Sequence, residues 1–318
     1  MITSIAFFDM TESIFYSSYA QDNITSSQPL KWIRWLVWKI AFATLALMAI
    51  GAATRVMNAG LACPDWPLCY GQVIPTQQMN LQVFLEWFHR LDAALIGLST
   101  IVLVILSWWY KAKLPQWLPL SSTFALSLII FQGVLGGLTV TQLLRFDIVT
   151  AHLGTALLFF GTLVAIASNL KPYQGNATVG KLKVVSIIAT VLVYLQCLLG
   201  GLVASQWALH QCFGENQLCI VMNSHIIGIF PATIATMALI ILAWRTPALS
   251  LELRKLTKYI ALILVSQILL GIATFYLHLQ VEPLTIAHHT MGAGLFGILI
   301  AFSVFAKKDD QRSSVPEL

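Results

Sequence analysis

Apolar residues run through this chain in eight stretches long enough to cross a bilayer, separated by polar intervals. A spanning helix needs about 20 consecutive apolar residues, and the stretches fall at roughly 36–57, 88–110, 119–141, 149–170, 184–204, 223–244, 259–279 and 286–306. Within them a smaller pattern repeats. Gln132-Gly133-Val134-Leu135-Gly136-Gly137, Gln196-Cys197-Leu198-Leu199-Gly200-Gly201 and Gln267-Ile268-Leu269-Leu270-Gly271 occupy the third, fifth and seventh stretches, and Gly51-Ala52-Ala53-Thr54 is a fainter echo in the first. After each comes an interval and then a helix opening near a histidine: His89, His152, His225 and His288. The unit is helix, loop, His-bearing helix, used four times.

These units pair. The long intervals, each with two cysteines, follow the first and fifth stretches, so the larger repeat is four helices used twice. The expected architecture is an all-α polytopic membrane protein whose eight transmembrane helices form two pseudo-symmetric four-helix bundles. Residues 1–35 are a polar N-terminal extension, 36–170 and 184–306 the bundles, 171–183 a linker and 307–318 a charged tail. Residues 1–30 lack a basic segment followed by an apolar run and do not read as a cleaved signal peptide.

Composition agrees. The 318 residues are 58% hydrophobic and 10% charged, with mean hydropathy +0.80, whereas soluble domains carry about 25% charged residues. The net charge of +5 is a topology signal and excludes nothing so clearly as a nucleic-acid partner, because the basic residues concentrate in alternate intervals. Lys31, Arg34, Lys39, Lys111, Lys113, Lys171, Lys181, Lys183, Arg245, Arg254, Lys255, Lys258, Lys307, Lys308 and Arg312 fall on one side, leaving Arg55, Arg90 and Arg145 near the other. Both termini are expected in the cytoplasm of a cell bounded by a plasma membrane or its equivalent. Cys63, Cys69, Cys212 and Cys219 then face the oxidising side, where disulfides Cys63–Cys69 and Cys212–Cys219 would persist. The short, proline-containing Cys63–Cys69 loop could equally serve redox chemistry or docking. Cys197, alone in the fifth stretch, reads as a small packing residue.

A lone histidine near a helix end is most simply an interfacial polar residue. Four at equivalent places in a repeat point to a shared role, because ionisable groups in lipid are costly and kept for function. Imidazoles from facing helices can clamp one iron as axial ligands, and glycine-rich helix faces suit a flat macrocycle better than zinc or copper. His288 is preferred to His289 because it follows Ala287, as His152 follows Ala151; His210 and His278 break the pattern and read as surface or substrate-approach residues. Only the first His helix carries a carboxylate, in Glu86-Trp87-Phe88-His89-Arg90. Glu86 shares a face with His89 and also stands four residues before Arg90. It is either a proton-transfer or cation-stabilising group or an interfacial ion pair. Arg90 and Arg55 are candidates for propionate contacts, while Arg145 reads as a headgroup contact.

Gly60-Leu61-Ala62-Cys63-Pro64-Asp65-Trp66-Pro67-Leu68-Cys69-Tyr70-Gly71, the Glu86–Arg90 motif and the doubled four-helix layout resemble the haem A synthase family in its bacterial form, over residues 36–306. The resemblance implies an oxidoreductase acting on a CH group: the C8 methyl of haem O becomes a formyl group, giving haem A for cytochrome oxidase. It implies substrate haem between His89 and His152, haem b between His225 and His288, and Glu86 as the catalytic residue. The partners implied are haem O passed on from haem O synthase, an electron partner and the lipid bilayer, with homo-oligomerisation open. Two other classes use the same residues: a di-haem electron-transfer cytochrome, which predicts equivalent halves, and a haem carrier or assembly protein, which binds haem O without converting it.

Overall fold

The computed structural model describes residues 28–173, 175, 180–204, 220–277 and 280–313, with side chains to residue 310. Cys212, Cys219, His210 and His278 lie outside these residues. Eight long helices account for nearly all of what is described: α1 (Gln28–Val56), α2 (Leu81–Trp109), α3 (Leu118–Thr141), α4 (Phe146–Leu170), α5 (Gly180–Val203), α6 (Ile220–Arg245), α7 (Leu251–Tyr276) and α8 (Glu282–Ser313). All eight are long and apolar enough to cross a membrane. Serine and threonine in these helices turn their hydroxyls onto the carbonyl one turn back, as Thr44, Thr100, Ser107, Thr236 and Thr257 do at 2.7–2.8 Å. A polar side chain satisfied by its own helix needs no water.

The helices are longer than the apolar stretches that announce them. The first begins at Gln28, not residue 36, because Leu30, Ile33 and Val37 continue a buried stripe while Lys31 and Arg34 occupy the other face. Helix α2 begins at Leu81, where the Asn80 side chain accepts from the Val83 amide at 2.9 Å and closes an N-cap. His89 is therefore more than two turns inside its helix. At the far end α8 runs past residue 306, since Phe305, Ala306 and Asp309 are buried. Lys308 Nζ donates to the carbonyls of Ser168, Asn169 and Lys171 at 2.8–3.0 Å, capping the C-terminal end of α4.

Helix α1 packs on α2 and α4, and α3 on α2 and α4; α5 packs on α6 and α8, and α7 on α6 and α8. Between these two sets, α8 lies against α1 and α4, and α4 against α5. Accordingly α4 and α8 are the most enclosed helices. Phe159, Phe160 and Leu163 meet Phe296, Leu299 and Phe302 in one continuous core. Gly161 lets Phe296 and Ile300 approach its backbone, and Gly297 does the same for Phe160, the small-residue packing that lipid-embedded helices use. Polar contacts continue at the flanks of the joining segment: Lys171 pairs with Glu252 at 3.0 Å, Lys183 with Asp310 at 2.8 Å, and Tyr173 hydrogen-bonds Ser250 at 2.6 Å.

The interval between α1 and α2 is a folded loop. A disulfide joins Cys63 to Cys69, with Cα atoms 4.8 Å apart, and Cys69 and Gln72 exchange backbone hydrogen bonds at 3.0 and 3.1 Å. The chain reverses through Tyr70 and Gly71, both at positive φ (55° and 68°), a conformation easiest for glycine. The Asp65 carboxylate accepts from the amides of Tyr70 at 2.6 Å and Gly71 at 2.7 Å.

Those amides, that of Gly71 above all, hold the Asp65 carboxyl below its ordinary value of 3.8. A carboxyl with a depressed pKa adds stability that is complete above its unfolded value and lost as pH falls through the folded one. The loop is therefore expected to keep its amide protection from neutral pH down to about 4 and to lose it only in stronger acid, whereas Asp65→Asn loosens it at neutral pH. Hydrogen exchange of the 63–72 peptide measures this, and equal protection of variant and wild type at neutral pH would refute it.

Candidate functional site

The four histidines lie on α2, α4, α6 and α8, and each ring rests on a glycine of the helix before it. His89 lies over Gly51, His152 over Gly136, His225 over Gly200 and His288 over Gly271; a Cβ at any of the four would come within 2.9–3.3 Å of the imidazole Cε1. Each imidazole also interacts with the main chain one turn earlier on that glycine's helix, at Leu47, Gln132, Gln196 and Gln267 respectively. The seat is thus repeated four times in one register. Gly51, the faintest member of the sequence repeat, takes its full place in it.

The rings come together in pairs. His225 and His288 have centroids 6.5 Å apart with planes at 86°. With metal–imidazole bonds of about 2 Å, two rings on opposite sides of one metal ion have centroids roughly 6 Å apart. His152 and His89 are close enough to interact electrostatically. Nδ1 of His89, His152 and His288 is buried without a hydrogen bond. Nδ1 of His225 lies 3.0 Å from the Gln196 amide nitrogen, which also donates to the His225 carbonyl at 2.8 Å. Among the described residues no three His, Cys, Asp or Glu side chains converge on one point; a macrocycle that supplies its own equatorial nitrogens needs only two axial ligands. Two facing imidazoles, each backed by glycine, fit a haem. His289 makes no such seat on a glycine among the described residues, and Arg55 crosses from α1 to the Gly201 carbonyl at 3.3 Å.

Glu86 is 4% exposed, and both its oxygens are engaged. Oε1 pairs with the Arg90 guanidinium at 2.5 Å and Oε2 accepts from the Cys63 amide at 2.8 Å. Arg90 in turn donates to the carbonyls of Asp65, Leu68 and Cys63 at 2.6, 2.5 and 3.4 Å. One turn earlier Trp87 Nε1 donates to the Val73 carbonyl at 2.7 Å. The disulfide loop is therefore bound to the part of α2 that carries His89. Its Trp66 indole covers Gly137, the residue after the seat of His152. The i,i+4 pair was visible in the sequence; the bonds from its partners to loop carbonyls and amide carried no sequence signal, since main-chain acceptors belong to every residue. Arg145 pairs on the surface with Asp147 at 2.6 Å, an exposed contact that solvent screens.

Comparison with known proteins points the same way. A Shewanella oneidensis protein named heme A synthase is 29% identical over 314 residues, covering 83% of this chain and 93% of its own length. A Symbiobacterium thermophilum heme A synthase is 33% identical over 139 residues, covering 41% of this chain and 44% of its own. A Halobacterium salinarum protein named protoheme IX farnesyltransferase is 32% identical over 137 residues, covering 43% of this chain and 29% of its own. The family described as cytochrome oxidase assembly protein (COX15-CtaA) matches residues 34–300, most of the chain, and the chain belongs to that family.

Proposed function

We propose that the chain is a haem A synthase, oxidising the C8 methyl of haem O to a formyl group. The observation that carries this reading is the pairing of glycine-seated imidazoles, of which, among the described residues, the His89 helix also carries a buried carboxylate, Glu86. In this reading α1–α4 and α5–α8 are pseudo-symmetric bundles. His89 and His152 hold the substrate haem, and His225 and His288 hold haem b. When bound, haem b supplies one-electron transfer. The disulfide loop would close the first site against water, and Glu86, one turn before His89 on α2, would act on the substrate held there. A carboxylate has roughly four acceptor positions, so bonds to Arg90 and the Cys63 amide leave it able to stabilise positive charge or take a proton at the methyl carbon. Haem O is handed on by the prenyl-transferring enzyme that makes it.

The basic intervals place both termini in the cytoplasm and the disulfide loop outside. Reporter fusions at residues 113, 176 and 248 should then read as cytoplasmic and one at residue 74 as external; the opposite pattern inverts the topology.

Pigment extraction tests the activity. Co-expression with a haem O source should yield an aldehyde-bearing haem A, and Glu86→Gln should cut conversion by about a hundredfold or more while both haems stay bound. Unaltered conversion in Glu86→Gln overturns the assignment of Glu86. Haem B alone in the wild type would make the chain an electron carrier, and haem O bound but never converted would make it a haem carrier. His225→Ala should remove haem b and His89→Ala the substrate haem; the reverse inverts the division of labour.

The glycine seats have their own test. Gly200→Val and Gly271→Val should abolish the bis-imidazole absorption of the second site, because a side chain there collides with the ligand ring. Gly133→Val should not, since its Cβ meets nothing within 4 Å. Equal haem retention in all three would remove the seats from the argument.

A further inference from the structure

Arg90 makes more contacts than an ion pair with Glu86 requires. Its Nη1 takes the carbonyls of Asp65 and Leu68, and its Nη2 takes that of Cys63 and one oxygen of Glu86. Three carbonyls from within a single disulfide ring thus converge on one guanidinium, and its side chain is only 15% exposed. The other oxygen of Glu86 returns to the Cys63 amide, so carboxylate and guanidinium grip the same residue from both its polar groups. The planar, pre-organised fork of a guanidinium suits four acceptors in this arrangement better than the three rotatable donors of a lysine ammonium.

The loop held this way touches both ligand-bearing sides of the first site. It is anchored on α2 at positions 86 and 90, either side of His89, and it lays Trp66 over Gly137 on α3, beside the seat of His152. With its donors committed to the loop and to Glu86, Arg90 has little left for a propionate. We infer that Arg90 is a positioning residue of the first site: it fixes the disulfide loop as a roof across the His89 and His152 seats and holds Glu86 in place beneath it. It acts through the loop and does not bind the macrocycle. This inference rests on the reading of His89 and His152 as the reacting pair.

The test compares full-length wild type, Arg90→Gln and Arg90→Lys in lipid nanodiscs. The first readout is the rate at which a membrane-impermeant phosphine reduces Cys63–Cys69, followed by alkylation and peptide mass spectrometry. The second is the electron paramagnetic resonance signature of haem O in the first site, with the second-site signal as the check of folding. Loss of several charge-assisted bonds should raise the reduction rate by at least roughly tenfold in Arg90→Gln and alter the first-site signature while the second-site signal is unchanged. Arg90→Lys should fall between. If Arg90→Gln loses the second-site signal, Arg90→Lys carries the comparison alone. A wild-type reduction rate with an unaltered first-site signature overturns the inference. So does weakened haem O binding with the loop still fully protected, the result expected of a direct propionate contact. A wild type that binds no haem defeats the proposed function, and the reduction rates still decide for or against Arg90 as the tie on the loop.

Discussion

An imidazole buried among apolar helices needs room for its ring and a partner for its nitrogens, and this molecule solves that problem the same way four times. The ring brings its Cε1 edge against the glycine of a neighbouring helix, close to the backbone one turn below. Helices must come close for this, which sets the pairing of α1 with α2, α3 with α4, α5 with α6 and α7 with α8. In hydrocarbon, where apolar surface gains little from burial against other apolar surface, such close backbone approach is a main source of helix association. The functional residues and the packing residues are therefore largely the same residues.

On that common frame the two halves diverge at their polar groups. The second pair keeps glutamine amides near its rings: Gln196 beside His225, and Gln267 3.4 Å from a ring nitrogen of His288. At the seat of His89 the corresponding residue is Leu47, and the polar partners sit instead on α2, as Glu86 and Arg90. Among the described residues a disulfide loop overlies the first pair, and glutamine amides attend the rings of the second.

Much of this was legible in the sequence. Eight apolar stretches, the recurring Gln-x-x-x-Gly before each later histidine, and the equivalent place of His288 in the repeat all follow from spacing, because lipid leaves the backbone few options. Helix ends were less legible: residues 28–35 and 307–313 are polar by composition and helical because a narrow buried stripe and the Lys308 cap continue there. The loop clasp was illegible for another reason. An arginine bonded to carbonyls of residues 63, 65 and 68 selects no particular side chain at those positions, so nothing in the residue types betrays it.

On the proposed reading of the two imidazole pairs as haem sites, the seam between α4 and α8 has a bearing on electron flow. Gly161 follows His152 by nine residues and Gly297 follows His288 by nine, so each central helix carries its ligand and its contact glycine at one fixed offset. Backbone-close packing there makes the seam a ruler between the two imidazole pairs, set by helix contact and insulated from bilayer thickness and from the loops. Tunnelling rates fall exponentially with distance, so whatever passes between the pairs does so across a gap that neither lipid composition nor the comings and goings of a substrate can readily stretch.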